Sequence, residues 1–172
     1  APVRLLAARG LPLLVATSFS KSFALYGERV GVLSVVAATP EEAQLVAAQL
    51  RGLARTSFST PPSHGALLVA TVLNDPGLRA MWEAELGAIR QRIASMRNEL
   101  LARLGSSNRH DFTPLVRQKG LFSFSGLNPG QMARLRAEFA VHATDDGRLC
   151  VSALNAGNID RVAAGLRAVT ET

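Results

Sequence analysis

Two short, almost wholly apolar runs open the chain, and amphipathic helical stripes fill most of the remaining length. Leu13-Leu14-Val15-Ala16-Thr17 lacks the polar alternation of a half-exposed strand and predicts one covered on both faces. Val30 to Val36 reads the same way. Before them, Arg4 to Arg9 reads as the end of a helix, and Gly10-Leu11-Pro12 turns directly into the first strand. Between the two runs lies a polar, glycine-bearing connection, Ser18 to Arg29. Thr39-Pro40-Glu41-Glu42 then opens a helix to about Arg55, with Thr39 as cap, Pro40 in the first turn and Glu42 completing a capping box.

Thr60-Pro61-Pro62 predicts the start of another helix, and Asp75-Pro76 that of a long one. In the long helix Trp82, Leu86, Ile89, Ile93, Met96 and Leu100 alternate spacings of four and three and draw one apolar stripe. About 28 residues of helix span about 40 Å, enough to bridge two domains. Gly105 to Asn108 ends it. Gly120 to Phe124 reads as a strand, and Asn128-Pro129-Gly130-Gln131 caps a helix carrying Met132, Leu135 and Phe139. Two short strands, near Ala140 to Ala143 and Arg148 to Val151, are expected about an Asp145-Asp146-Gly147 turn. A last helix from about Asn158 to Val169 places Ile159, Val162, Leu166 and Val169 on one face. This order is α/β followed by α+β. It predicts two domains, 1–88 and 89–172, divided within the long helix.

Composition narrows the classes. A hydrophobic fraction of 48% suits a packed globular protein, and no apolar run approaches the ~20 residues of a membrane helix. Ala1-Pro2-Val3-Arg4 carries neither a methionine nor a signal-peptide layout, so the sequence is expected to begin inside a longer chain. The net charge is +6, from 19 Lys plus Arg against 13 Asp plus Glu. The arginines are scattered through amphipathic helices among glutamates, without a basic cluster interleaved with aromatics, so nucleic acid is not the expected partner. The lone Cys150 excludes an internal disulfide and suits a reducing cytoplasm. His64, His110 and His142 have no metal-ligand spacing, and no metal is expected. Ser123-Phe124-Ser125-Gly126 lacks the first glycine of a hydrolase nucleophile elbow.

The stretch richest in chemistry is Ser18-Phe19-Ser20-Lys21-Ser22-Phe23-Ala24-Leu25-Tyr26-Gly27-Glu28-Arg29-Val30-Gly31. The chain uses arginine for almost every cation, and its only lysines are Lys21 and Lys119. A guanidinium stays protonated, whereas a lysine amine can shed its proton in a desolvated site and act as a nucleophile. Hydroxyls at Ser18 and Ser20 and the guanidinium of Arg29 are donors that a phosphate dianion would use. On these residues alone, a solvated lysine among turn serines and a catalytic lysine both remain open.

The same stretch resembles the cofactor-lysine signature of class I aminotransferases of the aspartate and aromatic amino-acid group. Arg55-Thr56-Ser57-Phe58-Ser59-Thr60-Pro61-Pro62-Ser63-His64-Gly65-Ala66 resembles that family's dimer-interface segment. Gly120-Leu121-Phe122-Ser123-Phe124-Ser125-Gly126-Leu127 and Gly147-Arg148-Leu149-Cys150-Val151 resemble its small-domain motifs. The resemblance implies the C-terminal part of a fold-type I pyridoxal-phosphate-dependent transferase: the end of the large-domain mixed sheet, then a small α+β domain. It implies Lys21 as the Schiff-base lysine and proton carrier, with Ser18 and Arg29 on the pyridoxal 5'-phosphate phosphate group. Arg148 is implied as the arginine gripping the substrate α-carboxylate, and Phe122 as a lining of the substrate entrance. Arg55 would reach into the neighbouring subunit's site of a homodimer. Ser59 and Thr60 would lie near the site or cap helices, and Tyr26 is assigned to packing.

The implied reaction is transamination between an L-amino acid, aromatic and also aspartate, and a 2-oxo acid such as 2-oxoglutarate. Ala24, Phe58 and His142 depart from the family's usual glycine, tyrosine and tyrosine without removing a required group. The family's long N-terminal segment, which supplies the partner of the pyridinium nitrogen, has no counterpart in these residues. The expectation is that this polypeptide alone is not a competent transaminase. The rival expectation is a non-catalytic truncated module serving dimerisation or regulation.

Overall fold

A computed structural model describes residues 2–105 and 109–171. The elements are α1 (Pro2–Ala8), β1 (Leu13–Ser18), β2 (Gly31–Val36), α2 (Pro40–Phe58), α3 (His64–Asn74) and α4 (Pro76–Leu104). They are followed by α5 (Pro114–Arg117), β3 (Phe122–Phe124), α6 (Pro129–Phe139), β4 (Arg148–Cys150), a 3-10 turn (Val151–Ala153) and α7 (Ile159–Glu171). The chain forms two compact units, Ala1–Glu83 and Ala84–Thr172. The expected end of the long helix falls, beyond Gly105, outside the described residues. Among the described residues no helix is long and apolar enough to cross a membrane.

In the first unit β1 and β2 form an antiparallel ribbon, in register from Leu13↔Val36 to Ser18↔Gly31. A Cβ on Gly31 would lie 2.6 Å from the Thr17 carbonyl oxygen, so glycine lets the ribbon close there. The expectation of strands covered on both faces is not met. Helix α1 packs on β1 and α2 on β2, but Leu14, Val32 and Leu33 remain exposed. An apolar run reports what a strand can tolerate, and a unit with this little mass over the ribbon leaves part of it open.

Helix α2 starts as its sequence predicts. The Thr39 hydroxyl accepts from the Glu42 N–H at 3.2 Å, although the Glu42 carboxylate accepts from Ala38 rather than from Thr39. The helix runs on to Phe58, where Ser59 takes a left-handed φ of 61° and donates its N–H to the Arg55 carbonyl. The helix expected from Thr60 begins instead at His64. Pro61 and Pro62 each disfavour the helical region for the residue before them, so the helix does not start at Thr60.

The second unit is built around a true core. Leu100, Met132, Leu135, Ile159, Leu166, Val151 and Val169 are essentially inaccessible. The four residues predicted on one face of α7 are all buried. In α4, Ile93 and Leu100 of the expected stripe are buried, but Ile89 is exposed. Helices α6 and α7 cross closely at Gly165, where an added Cβ would lie 2.8 Å from Leu135 Cδ1 and 2.9 Å from Phe139 Cγ.

The capping box at Asn128 and Gln131 forms in both directions. The strand expected over Ala140 to Ala143 is absent. Ala140 takes a left-handed conformation and caps α6, donating its N–H to Arg136 and Leu135 carbonyls. Arg148–Cys150 is a strand as expected, but it pairs antiparallel with β3, placing Phe122 opposite Cys150 and Phe124 opposite Arg148. Val151 turns into the 3-10 segment instead of extending that strand.

Candidate active site

The end of β1 and the loop that leads to β2 carry three of the predicted residues, Ser18, Lys21 and Arg29. Ser18 closes the ribbon opposite Gly31. Its hydroxyl donates to Ser20 Oγ at 3.1 Å and accepts the Ser20 N–H at 3.2 Å, which sets the chain into a turn. The Phe19 N–H reaches back to the Val30 carbonyl at 3.1 Å, and the Phe23 N–H closes a helical turn on Phe19 at 3.0 Å. Lys21 stands exposed in the middle of that turn.

Aromatic packing fixes the turn from behind. Phe19 meets Phe23 edge-on with ring centroids 5.4 Å apart, and Phe23 stacks on Trp82 at 4.7 Å. Trp82 also donates its indole N–H to the Ser22 carbonyl at 2.7 Å. The residue predicted as part of a helix stripe is thus a pin for the lysine turn. Such stacked pairs add about 0.5–1.5 kcal/mol beyond area burial.

Beyond the turn, Arg29 adopts a left-handed φ of 52° and donates from Nη1 to the Tyr26 carbonyl at 2.9 Å. The Lys21 ammonium lies 4.0 Å above the centroid of the Tyr26 ring. The far end of the loop is braced by α3. Gly65 is buried, and a Cβ there would come within 2.9 Å of Glu28 Cβ and 3.1 Å of Val30 Cβ. Only a residue without a side chain lets α3 approach so closely. Arg55 sits exposed in the last turn of α2, on a separate element of the same unit.

In the second unit the β3–β4 pair brings Phe122 and Arg148 together. The Arg148 guanidinium carbon lies 5.3 Å from the Phe122 ring centroid, within reach of a cation–π contact. The Arg148 N–H donates to Asp146 Oδ1 at 3.2 Å, and the Thr144 hydroxyl donates to the same carboxylate oxygen. The Thr144 hydroxyl, then the Arg148 N–H, hold the Asp146 carboxyl below its ordinary range. A cavity of about 170 Å³ lies behind β4, with His142, Cys150, Asn158 and Arg161 in its wall and none of the predicted site residues.

Arg97 was not singled out by the sequence. It is buried on α4, where it donates from Nε to Ser123 Oγ at 3.1 Å and from Nη2 to the Gly120 carbonyl. Loss of hydration lowers its pKa from the ordinary value. Its bonds fix both ends of the segment that carries Phe122. The signal was present: Arg97 lies four residues after Ile93 and three before Leu100, inside the buried stripe. Among the described residues no cluster of histidine, cysteine and carboxylate side chains could hold a metal.

The family model described as Aminotransferase class I and II matches residues 1–166. The chain belongs to this family. Aminotransferases similar to it include the aspartate aminotransferase of Pseudomonas aeruginosa, 48% identical over 163 residues, covering 94% of this chain and 41% of the relative. The aromatic-amino-acid aminotransferase of Escherichia coli is 47% identical over 168 residues, covering 97% and 42%. Among solved aminotransferases, that of Burkholderia pseudomallei, an aromatic-amino-acid enzyme covalently bound to pyridoxal phosphate, superposes with a TM-score of 0.91. It is 50% identical, over 98% of this chain and 42% of its own. The aromatic amino-acid aminotransferase of Psychrobacter sp. B6, cocrystallised with aspartic acid, gives a TM-score of 0.94 at 44% identity, over 99% and 43%.

The chain therefore spans about two fifths of the length of these aminotransferases. Its fold is a segment of the mixed α/β fold-type I architecture, and the family is pyridoxal-phosphate-dependent. The loop's donor set fits that cofactor: one amine for an aldehyde, with two serine hydroxyls and a guanidinium for a phosphate dianion.

Proposed function

We propose that this chain is part of a longer enzyme that moves an amino group between an L-amino acid, aromatic and also aspartate, and a 2-oxo acid such as 2-oxoglutarate. What supports this reading is the β1–β2 connection, where Lys21, one of only two lysines in these residues, follows the paired Ser18 and Ser20 hydroxyls and precedes Arg29 along the chain. Lys21 would hold pyridoxal phosphate through its amine, and Ser18 and Arg29 would hold the phosphate group. When bound, pyridoxal phosphate supplies the electron sink that lets a proton leave a substrate α-carbon. Lys21 Nζ is the group that carries this proton, as general base and then general acid.

Arg148 holds the substrate α-carboxylate in a planar two-pronged grip, with Phe122 beside it at the entrance. Arg55 reaches across a homodimer to the side-chain carboxylate of dicarboxylic substrates. Residues 1–88 would form the end of the large domain and 89–172 the small domain, in a cytoplasmic enzyme, which the single exposed Cys150 suits. By themselves these 172 residues would not turn over substrate, because no residue here is assigned to the pyridinium nitrogen.

The test is spectroscopic. The longer enzyme loaded with pyridoxal phosphate should show a visible absorption band that disappears in Lys21→Ala; an unchanged band in that variant would remove Lys21 from the role. For substrate choice, Arg55→Ala should lower kcat/KM for aspartate at least tenfold more than for phenylalanine. Equal losses would leave Arg55 without its assigned task.

A further inference from the structure

Tyr26 touches both cations of the loop, by two different parts of one residue. Its carbonyl oxygen accepts from Arg29 Nη1 at 2.9 Å, and its ring lies under the Lys21 ammonium at 4.0 Å. The ring is half exposed, at 50%, so filling a core is not what holds it there. The path of the chain brings it under the lysine: the helical turn at Lys21 closes on Phe23, and Ala24 then takes a left-handed φ of 54°. The negative face of an aromatic ring attracts an ammonium and has much less affinity for a neutral amine.

We propose that Tyr26 is a positioning residue whose ring holds the Lys21 ammonium whenever that side chain is not bonded to another group. The proposal rests on the reading of Lys21 as the cofactor's lysine for its functional meaning. The amine leaves the ring to react and returns to it when freed and protonated. The Tyr26 carbonyl, a backbone group, keeps Arg29 in place whatever the side chain is. Replacing the ring therefore tests Lys21 without disturbing Arg29.

Lys119, the only other lysine among these 172 residues, supplies an internal reference. Trace acylation of the cofactor-free full chain with an amine-selective anhydride, read by peptide mass, gives the ratio of Lys21 to Lys119 modification. Tyr26→Leu should raise that ratio about two- to fivefold, the range for a cation–π contact at an exposed site, and Tyr26→Phe should leave it at the wild-type value. An unchanged ratio in Tyr26→Leu, or equal ratios in the Leu and Phe variants, overturns the proposal.

A measurement on the unaltered chain guards against a variant that misfolds. With isotope-labelled lysine, the Lys21 ε-methylene protons should resonate upfield of those of Lys119, because they sit over a ring face. Coincident resonances would also overturn the proposal. Neither readout depends on the absorption band that tests Lys21 itself, so the ring contact and the lysine's role can fail separately.

Discussion

The two units of this chain have similar lengths and opposite interiors. Among the described residues, every buried hydrophobic one apart from Val69 belongs to the second unit. The first unit carries Leu14, Leu45, Leu53, Phe58 and Leu67 on its surface, each more than half exposed. Yet the first unit holds the residues with the most chemistry. Its loop is ordered by a serine turn, an aromatic cluster in which Phe23 meets Phe19 edge-on and stacks on Trp82, and one close glycine contact from α3. The second unit shows the complementary strategy, where a packed core fixes a two-stranded platform for Arg148. A few fixed contacts can order a loop, but burial of this kind is what stabilises a fold.

The sharpest way to break the contrast is to remove equivalent leucines from each unit. Leu166→Ala, fully buried on α7, should cost about 2–5 kcal/mol in denaturant unfolding. Leu45→Ala, 70% exposed on α2, should change stability by less than about 0.5 kcal/mol. A cost above about 2 kcal/mol at Leu45 would mean that this face of α2 is covered in solution.

Within the second unit, two glycines draw the contrast between packed and open positions at smaller magnitude. Gly165→Ala drives a methyl into Leu135 and Phe139 and should cost about 1–3 kcal/mol, the usual range for overpacking a tight core. Gly87→Ala on α4 meets nothing within 4 Å and should stabilise by about 0.5–1 kcal/mol, because alanine is the better helix former. Thermal midpoints should move in opposite directions. If both fall, the α6–α7 crossing is not the special site that its distances imply.

These contrasts show where the sequence was readable. Helix α7 was legible because Ile159, Val162, Leu166 and Val169 repeat at helical spacing and all turn inward. The Lys21 loop was legible as a motif, and the β3–β4 strands as apolar segments. What local sequence does not carry is partnership. Arg148–Cys150 follows a turn and invites pairing with Ala140–Ala143, but Ala140 is consumed by the α6 cap and the strand pairs with Phe122–Phe124 instead. Gly65 is silent in sequence because its reason is Glu28 and Val30, distant along the chain. Arg97 sent two opposed signals: its spacing placed it in the stripe, while its charge argued for solvent. The buried position is tolerated because Ser123 and Gly120 supply acceptors.

The smallest expected effect concerns acid. In the second unit the Thr144 hydroxyl and Arg148 N–H lower the pKa of Asp146, and Thr113 and Arg134 do the same for Asp111 and Glu138. A carboxyl whose folded pKa lies below its unfolded value, ~3.9 for aspartate, binds fewer protons when folded. Its stabilisation is complete above that unfolded value and is lost as pH falls through the folded one. The second unit's thermal midpoint should therefore drop as pH falls from about 5 to below 4. Asp146→Asn cannot titrate, so its curve should be shallower across that window while remaining a shade lower at neutral pH, where the wild-type carboxylate accepts both bonds. Because Asp146 is exposed, added salt should leave the hydrogen-bonded part of this difference and shrink only its charge–charge part with Arg148. A variant with the same slope as wild type would transfer the acid response to Asp111 and Glu138, and would separate the Arg148 turn from the stability of the unit that carries it.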